Sequence, residues 1–344
     1  MKPGTIAAAL ALCVAAAQTF VAHTAAAQSG AGPDATLAGR SGAGPDATWP
    51  QRTVRLILPF GPGSGADIAA RLLAERLQLV WGRPVVIEGK PGGDGLLSIG
   101  TVVNAKDDHV LFFGPSSAYV VHPYVHENLP YDPEQDLKPI AGVARVLVSV
   151  AVPTSLGIGS MKDFVAYARA RPGQVNYGVA PGFSEFVFDG FRRESGLDMG
   201  KVPYRDITTA PTDLGEGRIQ VLMQSYAAMR SYEQSGRIKV IAITDRKRSD
   251  IAPDIPSIVE AGFPSLEAVA ILGMLGPRDM GLDVRRRVSA DVIAVLADKT
   301  VAERLAATGQ MPEGMDVDAF AAAIKAQSEQ VARIAKVLGI TKKK

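Results

Sequence analysis

From Thr53 onward, short apolar runs that end in glycine or proline alternate with segments of helical periodicity, and few architectures accept that order. Val54-Arg55-Leu56-Ile57-Leu58 stops at Pro59 and reads as a buried strand; after a Gly-rich turn, Ile68, Leu72, Leu73, Leu77 and Val80 recur at helical spacing. Residues 84–88 and 110–113 are two further strands, each running into a turn. The second half repeats the theme. Residues 146–152 stop at Pro153, Ser160 with Asp163 three positions on marks a helix start, and Pro172-Gly173 mark its end. Residues 175–178, 219–223 and 238–243 are strand-like. Near the C-terminus, Val284, Val288, Val292 and Val295 share one helical face, as do Phe320, Ile324, Val331, Ile334 and Leu338, and both stripes are read as core. Strands alternating with helices in this way predict an α/β fold with mainly parallel sheet.

The first 48 residues do not share the pattern. Met1-Lys2, an Ala-rich apolar stretch over residues 6–21 and Ala25-Ala26-Ala27 before Gln28 have the layout of a secretory signal peptide over residues 1–27, cleaved near Ala27. The only cysteine, Cys13, lies inside it, so the mature chain is expected to lack disulfides, thiolate chemistry and Cys-ligated metal. Residues 28–48 form a Gly/Ala/Pro linker in which Ser29-Gly30-Ala31-Gly32-Pro33-Asp34-Ala35-Thr36 recurs as Ser41-Gly42-Ala43-Gly44-Pro45-Asp46-Ala47-Thr48. Charge argues against nucleic acid as a partner. The 37 basic residues nearly cancel the 35 acidic ones, and no like-charge block exceeds the three terminal lysines.

Three loops fall where an α/β protein places its ligands, beyond the carboxyl ends of strands: Gly61 to Asp67, Gly114 to Tyr119 and Gly178 to Glu185. The strongest is Phe60-Gly61-Pro62-Gly63-Ser64-Gly65-Ala66-Asp67, a strand–turn–helix junction whose first N–H groups lack intrahelical partners and so suit an anion. The alternative is a loop whose glycines only shape the turn, with Asp67 capping or pairing locally, and the motif leaves both open. Nucleotides fit poorly: no Gly-Lys-Ser/Thr follows, and Ala66 stands in the third glycine slot of a dinucleotide fingerprint. Hydrolase and metal signatures fail too. Gly182-Phe183-Ser184-Glu185-Phe186 misses the last glycine of a nucleophile elbow, and no HExxH occurs. Pro123, between His122 and His126, argues against a regular helix there, so these histidines and His109 are read as loop residues. No cofactor and no metal is expected.

Seven segments, in this order along the chain, resemble the Bug family, the periplasmic receptors of tripartite tricarboxylate transporters. They are Trp49-Pro50 with the strand through Phe60, the turn Pro62 to Asp67, residues 84–92, Leu129-Pro130-Tyr131-Asp132-Pro133, residues 172–178, Val202-Pro203-Tyr204 and residues 253–262. The resemblance covers nearly everything from Trp49 to about Leu338. It implies two α/β sandwich lobes of the periplasmic-binding-protein type, joined by crossover strands near residues 146–152 and 268–275. Lobe 1 is placed at 49–147 with 273–344, and lobe 2 at 148–272. Carried over, the ligand-binding residues of lobe 1 are Gly61, Pro62, Gly63, Ser64, Gly65, Ala66, Asp67, Ser116 and Ser117, holding a carboxylate through N–H groups, hydroxyls and water.

Lobe 2 departs from the family pattern. Val179 and Ala180 stand where hydroxyls are common, Ser184-Glu185 where Ser-His is common, Arg205-Asp206 where Lys-Gly is usual and Gln224 where an Asp is frequent. These changes remove small donors and add carboxylates, so the expected ligand is a monocarboxylate, amide or amino-bearing metabolite rather than a tricarboxylate. The chain is therefore expected to be an exported, non-enzymatic, monomeric receptor, read by membrane permease subunits or by a sensor protein. The rival from another class is a secreted enzyme using Asp67, Glu185 and Asp206 as an acid–base set. A third reading is an orphan receptor without its own transporter.

Overall fold

In the computed structural model, residues 49–343 are described, apart from Pro181, Arg205, Asp206 and the side chains of Ser117, Ala118 and Tyr119. The expected signal peptide with Cys13, the expected linker and Asp206 thus lie outside the described residues. The first half runs β1 (Val54–Leu58), α1 (Gly65–Trp81), β2 (Val85–Gly89), α2 (Leu96–Ala105), β3 (Val110–Pro115), α3 (Ser116–Val125) and β4 (Leu137–Val146). Next come β5 (Val148–Pro153), α4 (Met161–Arg169), β6 (Val175–Val179), α5 (Phe183–Glu194), β7 (Met199–Lys201), α6 (Ala210–Gly215), β8 (Val221–Ser225), α7 (Tyr226–Gln234) and β9 (Ile238–Ile243). The chain finishes with β10 (Ala270–Pro277), α8 (Leu282–Leu296), α9 (Lys299–Ala307), β11 (Gln310–Met315) and α10 (Val317–Leu338).

Two sheets result, ordered β11-β4-β10-β3-β1-β2 and β7-β6-β8-β5-β9. Both are mixed, which corrects the expectation of mainly parallel sheet. The pairs β1–β2, β1–β3, β6–β7 and β6–β8 are parallel, each joined through a crossing helix, but β10 is antiparallel to both β3 and β4, and β5 to both β8 and β9. The cause is the double crossing. β4 carries the chain out of the first sheet and β10 carries it back, so lying side by side they must run in opposite directions. The same holds for β5 and β9 in the second.

Register then sets where a ligand can meet the protein. Pro115 pairs with Leu272, and Val146 pairs with both Ala270 and Gln310, so the ends of β3 and β4 and the starts of β10 and β11 share one edge with the end of β1. In the second sheet Val148 pairs with Ser225 and Ser149 with Ile243, so the ends of β8 and β9 share an edge with the start of β5. Both crossings leave from these edges, and the edges therefore face each other.

The last helix packs against both lobes. Phe320 packs with Ile57, Phe112 and Ile271 of the first, whereas Val331, Ile334 and Ala335 enter the cluster of Val150, Phe188 and Phe191 in the second. At Gly190 of α5 the fit is tight, since a Cβ there would lie 2.8 Å from Ile334 Cγ2. One local expectation is overturned. His122 is not in a loop: α3 runs through His122 and Pro123, whereas His126 follows its last residue and His109 lies in a turn, as expected. Pro123 sits in the final turn, where it forgoes one i→i−4 hydrogen bond, and burial of Val120, Val121 and Tyr124 on both sides of it rewards the helical path despite that cost.

Candidate functional site

Ser64 caps α1, its hydroxyl accepting the N–H of Asp67 at 3.2 Å. Asp67 is 5% exposed and returns the favour locally: its carboxylate accepts from Gly63 N–H at 3.0 Å and from Arg71 Nε at 3.0 Å. The Arg71 guanidinium holds this carboxyl below its ordinary range, against the opposing effect of burial. Asp67 is thus spent on the shape of the turn. Gly63 takes a left-handed φ of +84°, open only to glycine at no cost, which lets the loop fold back under Asp67. The N–H groups of Gly65 and Ala66, in the first turn at the positive end of a 17-residue helix, have no acceptor within that helix.

Ser116 opens α3 on the same edge. It is 1% exposed, and its hydroxyl donates to Gln327 Oε1 at 2.7 Å. Gln327 Nε2 in turn donates to Val269 O at 2.7 Å, and Gln330 Nε2 to Glu267 O at 2.5 Å. Two glutamines of α10 therefore grip the returning crossover while one of them also holds Ser116. The outgoing crossover is tied in at Arg145, whose guanidinium pairs with Asp245 and, through Nε at 3.1 Å, with Glu313. Thr244 completes the junction: its hydroxyl lies 2.9 Å from Ala268 O and 3.2 Å from Val148 O.

Lobe 2 offers fewer free groups than its loops promised. Val179 is core, and Ala180 N–H is taken by Met223 O. Ser184 is buried in the first turn of α5. Gln224 is 4% exposed and donates through Nε2 to Ile207 O at 2.8 Å, a bond that a carboxylate in its place could not make. Glu185 pairs with Lys201, which also contacts Asp189 at 2.9 Å. Burial pulls the Lys201 pKa down, but its hydrogen bonds to the two carboxylates outweigh that and leave it raised. Asp189 also accepts from Tyr177 Oη at 2.5 Å. One ammonium serving two carboxylates has no charge to spare for an anionic ligand. Sequence reading singled out Glu185 without its partner, because Lys201 follows 16 positions later on an edge strand that no periodicity marked.

The histidines hold structure. His122 is 2% exposed, with Nδ1 2.5 Å from Tyr131 Oη and Nε2 3.1 Å from Asp94 O, and burial drives its pKa down to about 4. Asp107, Asp108 and His109 bring possible ligand atoms within 4.8 Å of one another, but each already has a partner. Arg52 takes Asp107 at 2.6 Å, His109 Nδ1 meets Asp108 at 2.6 Å, and His109 Nε2 accepts from Gln51 N–H at 3.1 Å.

Residues 69–340 match the family described as tripartite tricarboxylate transporter family receptor. The chain belongs to this family. A UPF0065 protein of Bordetella bronchiseptica is 30% identical over 268 residues, spanning 76% of this chain and 78% of that protein. The protein BugT of Bordetella pertussis is 28% identical, covering 77% of this chain and 82% of its own length. Among solved structures, an R. palustris protein with adipate superimposes with a TM-score of 0.75 at 28% identity, covering 85% of this chain and 99% of that one. The family consists of solute receptors, not enzymes. Asp67 pairs with Arg71, and Glu185 with Lys201. No helix among the described residues is long and apolar enough to cross a membrane.

Proposed function

We propose that this receptor is exported to the periplasm, captures a small monocarboxylate, amide or amino-bearing metabolite between its lobes, and presents it to the permease subunits of a tripartite transporter. The observation that carries the reading is the pair of facing sheet edges, with the first turn of α1, whose Gly65 and Ala66 N–H groups lack intrahelical acceptors, on one and no uncommitted cation at Glu185–Lys201 on the other. One anionic or carbonyl oxygen suits the α1 turn, and a second anion has no counterpart at Lys201. Lobe 1 is assigned residues 49–147 and 273–344, lobe 2 residues 148–272, and the working form is a monomer. The ligand must touch both lobes for binding to favour the closed form. Micromolar affinity, about −8 kcal/mol, suits a receptor that must release its cargo.

Native mass spectrometry of the protein purified from cells, followed by thermal shift against small carboxylates, amides and amino acids, tests this reading. A co-purified small molecule, or one such compound that raises the melting temperature, is the expected result. Citrate binding more tightly than every monocarboxylate and amide would overturn the ligand class, and turnover of the bound compound would overturn the receptor.

A further inference from the structure

We propose that His122 is a positioning residue for the turn that precedes α1: it braces residues 92–95, against which the start of that turn rests, and acid releases the brace. The proposal rests on the receptor reading for what the turn does, and adds a proton-linked control of its shape.

Residues 92–95 follow β2 on the cleft edge of the first sheet, where Leu58 at the end of β1 pairs with Gly89. Their φ angles are +130°, +55°, +53° and +101° in order, and the third belongs to Asp94, a residue with a side chain in a region that favours glycine. Such a run persists only where its surroundings impose it. On one side it adjoins the start of the α1 turn. Lys90 N–H donates to Leu58 O at 2.7 Å, a Cβ on Gly89 would lie 2.7 Å from Phe60 O, and one on Gly95 would lie 3.4 Å from Pro59 Cβ. On the other side it meets α3, through His122 Nε2 at 3.1 Å from Asp94 O.

The two partners of His122 fix its protonation. Asp94 O can only accept, so Nε2 carries the proton, and Nδ1 is left to accept from Tyr131 Oη at 2.5 Å. Only the neutral ring does both. A second proton sets an N–H against the Tyr131 O–H and puts a charge on a ring that is 2% exposed. The surroundings offset little of that charge. Just beyond α3, His126 is another potential cation, its ring centroid 5.0 Å away. The Asp94 carboxylate favours the charged ring, but it is 62% exposed and lies 3.8 Å from His126 Nε2. Tyr131 stays protonated, burial raising its pKa. β10, packed on α3, has no titratable side chain, and α5 and α10 meet α3 through Phe186 at Tyr124 and Gln327 at Ser116. The ring thus protonates at about 4 in place and near 6.5 when freed, so each step down in pH between those values favours release.

Hydrogen exchange followed by mass spectrometry, on the ligand-free protein at pH 7 and pH 5 with rates normalised to an unstructured peptide, tests the proposal. Peptides over residues 58–66 and 90–98 should lose about twentyfold in protection at pH 5, while those over β3 and β10 keep theirs. Asp67 does not interfere, because its lowered pKa keeps it ionised at both values. In His122→Gln, which keeps a donor for Asp94 O but takes up no proton in this range, protection should be equal at the two pH values. Equal protection in the parent, the same loss in His122→Gln, or a loss shared by every strand overturns the role of His122. A loss confined to residues 90–98 overturns its hold on the α1 turn. Should the variant not fold, proton NMR of the parent decides: a His122 ring that does not titrate together with the loss of protection overturns the proposal. No ligand takes part, so each of these failures leaves the receptor reading standing, and that reading falls only by its own binding test.

Discussion

Asp67, a candidate ligand-binding carboxylate from the sequence, accepts from Gly63 N–H and Arg71 Nε and so braces the turn before α1. Asp67→Ala leaves Gly63 N–H without its acceptor, and a loss of about 1–2 kcal/mol in urea unfolding is expected. A variant as stable as its parent, with weaker ligand binding, would return the carboxylate to the ligand. Because its folded-state pKa is lowered, the Asp67 contribution is present above the ordinary carboxylate range and fades as pH falls through the depressed value. His122 acts at higher pH. It stays neutral in the fold down to about 4 but protonates near 6.5 when unfolded, so the unfolded chain binds the extra proton between those values. Stability should therefore fall as pH drops from about 6.5 to about 4, by about 3 kcal/mol at most from this residue. The neighbours that bear on it are Tyr131, the Asp94 carbonyl and the His126 ring, whose centroid is 5.0 Å away. His122→Gln should flatten the difference between urea midpoints at pH 7 and pH 4.5, and an unchanged difference would assign the acid sensitivity elsewhere.

At the scale of elements, α5 and α10 meet so closely that a methyl group matters. Glycine inside a helix ordinarily costs about 1 kcal/mol relative to alanine, so Gly190→Ala should stabilise on propensity alone. Here the added Cβ meets the stiff, buried Ile334, and overpacking of about 1–3 kcal/mol outweighs the gain. A lower unfolding midpoint is the expected outcome, and a higher one would mean that α10 moves aside. Elements with strong periodicity were legible from the chain alone. β1 and α1 lie where the apolar spacing put them, and Ser160 caps α4 through Asp163 N–H as its spacing implied. Strands whose pattern is broken were not. β11 reads Gln-Met-Pro-Glu-Gly-Met, with a proline and a glycine in an edge strand, and it carries Gln310. The family turn over residues 61–67 was legible as a motif, but the glutamines hydrogen-bonded to Gly65 and Ser116 come from positions more than 200 residues away. Single-sequence patterns report local periodicity, and nothing local marks a glutamine as buried.

For the molecule as a whole, the lobes touch beyond the crossovers. Gly309, at φ +77°, abuts α7 of the second lobe so closely that a Cβ would run into that of Ala227. Met311 beside it packs with Leu147 and Tyr226. Gly309→Ala should prop the lobes apart, so small-angle X-ray scattering should report a larger radius of gyration than the parent's with an unchanged circular dichroism spectrum. An identical scattering curve would mean that α7 yields. A different restraint comes from α10. This helix is about 33 Å long, and it is keyed into one lobe by Phe320 and into the other by Val331, Ile334 and Ala335. A rod keyed into both halves couples them: the amides of Gln327 and Gln330 hold the returning strand midway along it, so a shift of either lobe is felt at the hydrogen bonds to Val269 O and Glu267 O.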